Sequence, residues 1–302
     1  MRWISALIAL SVVLSGTTPS GARGRPLMAW SASLNLIAIG VEDQVRLYDG
    51  GTQRLVAVLE GKGAPLTALA WQPEGDLLAT GDANGWLCLW SAAAFTSECR
   101  LLEDFVLRAL AWQPSGDLLV GASGDQIRLW QAPSLLLSRA WSAEGIVTAL
   151  AWQAESLAVG GALRGTYEQG FLALYDRFGA LQQRYTAEMR PPLSLQSLPA
   201  DRVGVSAPFD VFVWQRATQQ SVPLYLPLRE GEAVRFAAWS ADGARVRVAL
   251  NERLLCFAEG EFVGEIALDV PVAALAWQDG APYAAILTEE GGLRFVEVAR
   301  CR

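Results

Sequence analysis

Apolar positions along the chain come in short alternating runs, broken by glycine, proline and small polar residues. Leu66-Thr-Ala-Leu-Ala-Trp-Gln72 runs into the turn Pro73-Glu-Gly75, and Asp76-Leu-Leu-Ala-Thr80 into the turn Asp82-Ala-Asn-Gly85. Trp86-Leu-Cys-Leu-Trp90 follows, then a looser connection and Cys99-Arg-Leu-Leu102. Alternation with period two predicts half-buried strands. Asn-Gly between two apolar runs predicts a type I′ hairpin turn, with positive φ at both central residues. Pro-Glu-Gly and Pro114-Ser-Gly116 predict ordinary tight turns. A unit of about 40 residues therefore holds four short strands.

The unit recurs. Ala-Leu-Ala-Trp-Gln surrounds Trp71, Trp112, Trp152 and Trp277; weaker copies surround Trp30 and Trp239, and Leu195 takes the remaining place. These anchors lie 41, 41, 40, 43, 44 and 38 residues apart. A second ladder, a strand ending in an aromatic, gives the same count: Tyr48, Trp90, Trp130, Tyr175, Trp214 and Phe257, with Val296 where the last unit loses its aromatic. Seven units of four strands predict an all-β fold, a seven-bladed β-propeller of four-stranded antiparallel blades. Length alone would suit two domains; the repeat replaces them with one ring over residues 23–302. Units five and seven are the most degenerate.

Ala70-Trp-Gln-Pro-Glu-Gly-Asp-Leu-Leu-Ala-Thr-Gly81 and Ile127-Arg-Leu-Trp-Gln131, with the terminal acids Asp49 and Asp176, resemble the WD40-repeat β-propeller family in a degenerate, bacterial-type form. The resemblance covers roughly residues 26–302 and implies a non-catalytic platform whose loops hold protein partners. Members commonly link a His, a Ser or Thr, the strand-end Trp and a turn Asp by hydrogen bonds. This chain has no His, so the full tetrad is absent from every blade. The turn position six before the aromatic holds Glu42, Asn84, Gly124, Gln169, Pro208, Asn251 and Glu290. Stability is then expected to rest on packing, at roughly 1.5–3 kcal/mol per buried Trp or Leu.

The two ends read differently. Trp3 to Leu14 is an apolar run of 12 after Arg2, too short to span a bilayer. It suits a signal-peptide core, followed by the small-x-small site Ser20-Gly21-Ala22. Leu10-Ser-Val-Val-Leu-Ser-Gly16 also resembles Leu55-Val-Ala-Val-Leu-Glu-Gly61, so a ring-closing strand is the alternative reading of residues 1–22 to the preferred signal peptide. The last unit stops after its third strand, and the resemblance implies that an N-terminal strand completes it. A cleaved leader predicts an exported, periplasmic protein; a retained strand predicts a cytoplasmic one.

Composition narrows the chemistry. Without His there is no Ser–His–Asp triad, Cys–His pair or His-ligated zinc. The four cysteines, Cys88, Cys99, Cys256 and Cys301, form no C-x-x-C. Cys88 and Cys99 face each other if Trp90 pairs with Ser97, leaving a disulfide or, the preferred reading, a buried apolar pair of thiols. Gly121-Ala-Ser-Gly-Asp125 lacks the spacing of a nucleophile elbow. Nine of the 12 tryptophans sit on the two anchor ladders, which favours core over cofactor docking. No cofactor or metal is implied, and a net charge of -7 argues against nucleic acid.

In a propeller the turns between second and third strands share one face with the links between blades. Sixteen of the 31 acids fall on that predicted face. The candidate partner-binding residues are Glu42, Asp82, Asp104, Asp125, Glu144, Arg164, Tyr167, Glu168, Arg190, Glu232, Asp269 and Glu290. Arg164 and Tyr167 ride on a longer loop, residues 162–170. The expected function is a non-catalytic protein–protein scaffold, a monomeric ring within a complex, that draws partners with a basic surface. A propeller enzyme (hydrolase or quinone-dependent oxidoreductase) and a structural subunit of an envelope complex are the alternatives.

Overall fold

The computed structural model describes residues 27–277 and 281–298, apart from the side chain of Tyr167. The leader or closing-strand reading of residues 1–22, and Cys301, lie outside these residues. Blade one is β1 (Leu27–Ser31), β2 (Leu36–Val41), β3 (Gln44–Asp49) and β4 (Leu55–Glu60). Blade two is β5 (Leu66–Trp71), β6 (Leu77–Asp82), β7 (Trp86–Ser91) and β8 (Ser97–Leu101). Blade three is β9 (Ala109–Trp112), β10 (Leu118–Ser123), β11 (Gln126–Gln131) and β12 (Leu136–Ser142). Blade four is β13 (Gly145–Gln153), β14 (Ser156–Leu163), β15 (Thr166–Asp176) and β16 (Leu181–Arg184). Blade five is β17 (Ser194–Leu198), β18 (Arg202–Ser206), β19 (Val211–Gln215) and β20 (Gln220–Pro223). Blade six is β21 (Phe236–Trp239), β22 (Arg245–Ala249), β23 (Arg253–Ala258) and β24 (Glu261–Ala267). Blade seven is β25 (Val272–Trp277), β26 (Tyr283–Thr288) and β27 (Leu293–Glu297), three strands among the described residues.

Each blade is an antiparallel meander. First strands neighbour one another in sequence, and β25 meets β1, so the ring closes. Both anchor ladders fall where the repeat places them, on first and third strands. The buried clusters sit at the seams between blades: Trp30, Trp71 and Trp277 share the one joining blades six, seven, one and two. Others join blades two and three, three and four, four and five, and five and six.

The Ala-Trp-Gln string has a mechanical meaning in this geometry. In blades two and three its Trp reaches back: Trp71 Nε1 donates to the Ala29 carbonyl at 3.2 Å, and Trp112 Nε1 to the Ala70 carbonyl at 3.1 Å, whereas the Trp152, Trp239 and Trp277 indole N–H groups find no hydrogen-bond partner among the described residues. Its Gln reaches forward: Gln72 Nε2 donates to the Gly116 carbonyl at 2.9 Å and Gln153 Nε2 to the Arg202 carbonyl at 2.8 Å. Where Leu195 replaces the Trp, Gln196 grips blade six twice, donating to the Trp239 carbonyl and accepting from the Trp239 N–H, both at 3.0 Å.

Four expectations change. The hairpin at Asp82–Gly85 is not type I′: only Gly85 has positive φ, and Gly85 N–H donates to the Asp82 carbonyl at 3.2 Å. A three-residue loop with glycine in the left-handed position results. A Cβ at Gly85 would stand 2.7 Å from the Leu102 carbonyl oxygen. Part of the tetrad survives without histidine, because Trp90 Nε1 donates to Thr80 Oγ1 at 2.9 Å inside blade two. Residues 162–170 are an extension of the β14–β15 hairpin turning at Arg164-Gly165, not a loop. Cys88 and Cys99 are bonded, S–S 2.11 Å. The Trp90–Ser97 register sets them directly opposite, and β8 is an outer strand, so Cys99 is not sealed in the core.

Gln196→Ala leaves the Trp239 N–H and carbonyl unpaired in a buried seam. It is expected to cost about 1–3 kcal/mol in urea unfolding, against about 0.5–1.5 kcal/mol for Gln72→Ala, whose site is half open.

Candidate partner-binding face

Blade topology gathers the second-to-third turns and the blade links at one end of the ring. Hydrogen bonds tie the two sets together. Leu66 N–H donates to the Glu42 carbonyl, Ala143 N–H to the Asp125 carbonyl, Val234 N–H to the Pro208 carbonyl and Leu268 N–H to the Glu252 carbonyl. These bonds set the turns that carry Glu42 and Asp125 against the links beside them.

The candidate acids do not share a condition. Asp125 pairs with Arg164 at the hairpin tip, and Glu144 lies 3.2 Å from Arg184. Asp269 holds Arg294 through both oxygens, at 2.7 and 2.9 Å. The Arg294 hydrogen bonds keep the Asp269 carboxyl below its usual range. Glu232 accepts from Arg253, whose side chain is 5% exposed and also meets Glu265 and the Pro227 carbonyl. Hydrogen bonding from Arg253 holds the Glu232 carboxyl low. A carboxylate lowered by folding stabilises above its unfolded pKa, and that contribution fades as pH falls through the lowered value.

Asp82 is buried at 3% exposure. Its Oδ1 accepts from the Asn84 and Trp86 N–H groups, both at 2.9 Å, and so caps the turn whose acid the sequence pattern sought at position 84. Its Oδ2 has no hydrogen-bond partner among the described residues. Burial pushes the Asp82 carboxyl up, against the pull of the turn N–H groups.

Glu42, Asp104, Glu168 and Glu290 remain exposed without an ion pair to a described residue. Glu289 and Glu290 on blade seven, Glu42 and Asp43 on blade one, and Glu103 and Asp104 after blade two form an acidic arc. Lys62, 5.8 Å from the Trp86 ring centre, and Arg108 are the bases beside it. The opposite side differs. Arg190 lies over the Phe209 ring at 5.2 Å, Phe209 is 48% exposed and Tyr225 is 86% exposed. The sequence reading missed Phe209 and Tyr225, since neither sits on an anchor; their position beside turn residues Pro208 and Pro227 was the available signal.

Among the described residues no three His, Cys, Asp or Glu side chains converge in a metal-holding group.

Comparison with known proteins agrees with the blades. The family model described as the anaphase-promoting complex subunit 4 WD40 domain matches residues 28–97, and the WD domain, G-beta repeat, matches residues 102–131. An Arabidopsis thaliana protein, cell division cycle 20.1, cofactor of APC complex, is 38% identical over 71 residues; the match covers 22% of this chain and 15% of that protein. A chain in the crystal structure of a mitotic checkpoint complex superposes with a TM-score of 0.75 at 16% identity, covering 95% of this chain and 94% of that one. At that identity the likeness is one of fold. The blades define the class of fold, a seven-bladed β-propeller, and residues 28–97 and 102–131 of it are similar to WD40 repeats. The matched relative is a plant protein, which lends no support to a bacterial type.

Asp82→Asn keeps the Oδ1 acceptor and removes the buried charge, whereas Asp82→Ala loses the turn bonds. A raised carboxyl pKa costs stability as pH rises through it. The Asn variant is therefore expected to match or exceed the parent at pH 7 and to lose any advantage below the unfolded aspartate pKa. The Ala variant is expected to lose about 1 kcal/mol. Urea unfolding across pH measures both.

Proposed function

We propose that the chain is a non-catalytic scaffold that holds a basic protein partner on the acidic arc, as one subunit of a larger assembly. The observation carrying this reading is the set of exposed, unpaired acids on blades seven and one and after blade two, on a face where most other candidate acids are paired or buried. Exposed charge on a rigid rim attracts an opposite surface and speeds encounter. The relatives' names lend support, one being a cofactor of a complex and the other part of a checkpoint complex. Affinity capture with the triple reversal Glu42→Arg, Asp104→Arg and Glu290→Arg tests the arc. Partner recovery is expected to drop at least about tenfold, and recovery by the unmodified chain to fall as salt rises. Equal recovery by both chains removes the arc from the account.

Export is the favoured location, supported by the bonded Cys88 and Cys99, since disulfides persist in oxidising compartments. N-terminal sequencing of the native protein decides: a start at Arg23 is expected, and an intact Met1 favours a cytoplasmic protein with a retained first strand.

A further inference from the structure

Where an arginine of this chain is drawn into the structure, the fold tends to give it an acid. Arg216 has Asp201, and the deeply buried Arg253 has both Glu232 and Glu265. Arg128 on β11 departs from this. It is half-buried, yet it makes no hydrogen bond or ion pair to a described residue. Its guanidinium carbon lies 4.1 Å from the centre of the Phe105 ring. Phe105 is 1% exposed and meets Trp130 edge to face, so this platform is part of the core. A ring attracts the charge but offers no acceptor oxygen to the five N–H donors.

Arg128 lines a cavity of about 410 Å³ between the outer strand of blade two and the last two strands of blade three. Arg100 on β8 lines it too. Arg100 spans the seam, its Nη1 donating to the Leu135 carbonyl at 2.8 Å, and it has no ion pair to a described residue. Leu101, Leu137 and Trp130 supply apolar wall, with the two leucines about half exposed. Glu103 is the carboxylate among the lining residues, and it lies beyond ion-pair distance of both arginines. Two guanidinium groups and one carboxylate leave one positive charge in excess. The volume is that of a small-molecule site, with a few polar groups set in apolar wall.

We propose that this cleft binds a small amphipathic monocarboxylate, its carboxylate on Arg128 and Arg100 and its apolar body against Leu101 and Leu137. A guanidinium fork matches a carboxylate through two parallel hydrogen bonds. The single excess charge favours a monoanion over a phosphate dianion, whose second charge would face Glu103. The leucine walls favour a ligand with an apolar body over a bare inorganic anion. The site is independent of the acidic arc, whose triple reversal leaves every residue of the cleft unchanged.

Isothermal titration calorimetry of the full chain at pH 8 and low salt tests it, with octanoate as probe. Saturable binding of one octanoate is expected, with Kd on the order of 100 μM. The uncharged 1-octanol is expected to bind at least about tenfold more weakly. Octyl phosphate, a dianion at this pH, is expected to bind more weakly than octanoate, and Glu103→Gln to remove that difference. Arg128→Gln is expected to weaken octanoate binding at least about tenfold. Arg100→Gln, at an exposed position, is expected to weaken it about threefold with the circular dichroism spectrum unchanged. No saturable heat with octanoate overturns the proposal, as does equal binding of 1-octanol. Parental affinity in the folded Arg128→Gln and Arg100→Gln variants also overturns it.

Discussion

A ring of blades is held by its seams. No blade encloses a core of its own; each buries its inner strands against its neighbours, and the last seam, β25 against β1, has to close on a gap fixed by the other six. The Ala-Trp-Gln string meets this constraint in three residues. The small residue lets first strands approach, the indole fills the seam and at Trp71 and Trp112 reaches the carbonyl behind, and at Gln72 and Gln153 the amide reaches the backbone ahead. At Leu195 the indole is lost, and Gln196 makes two bonds to Trp239 instead of one. The tryptophan content is a consequence of this seam geometry.

The loop face depends on the same frame. Because the seams fix where each turn emerges, acids from distant parts of the chain arrive on one rim, and so do the arginines that cancel some of them. Arg253 is the clearest case. A guanidinium buried to 5% exposure needs its carboxylates, Glu232 and Glu265, and they are committed to it before any partner arrives. The remaining free acids concentrate on the blades flanking the closing seam, while Phe209 and Tyr225 lie exposed across the ring.

Much of the fold was legible because its signals are local. Alternation places strands, Gly85 and Gly116 mark turns that need positive φ, and a repeat of some 40 residues counts the blades. The candidate face was legible as a face, since strand order alone says which turns share an end. Its individual residues were less so. Asp82 and Glu290 look alike in sequence, yet one is sealed under a turn with an unpartnered oxygen and the other is open to water. The surviving Thr80–Trp90 bond was hidden by the missing histidine, because the motif was read as a whole and not as separable hydrogen bonds.

By itself the sequence determined the number of blades, the place of each strand and the end of the ring on which each turn lies. These follow from side-chain period and spacing along one chain. The tertiary structure alone decided which charges are spent and which are free, and that Cys88 and Cys99 are joined. Asp125 and Arg164 are 39 residues apart, and Arg253 and Glu232 are 21 apart. Charge pairing depends on distance in space and on the water excluded between the partners. Neither quantity exists until the seams have brought the blades together.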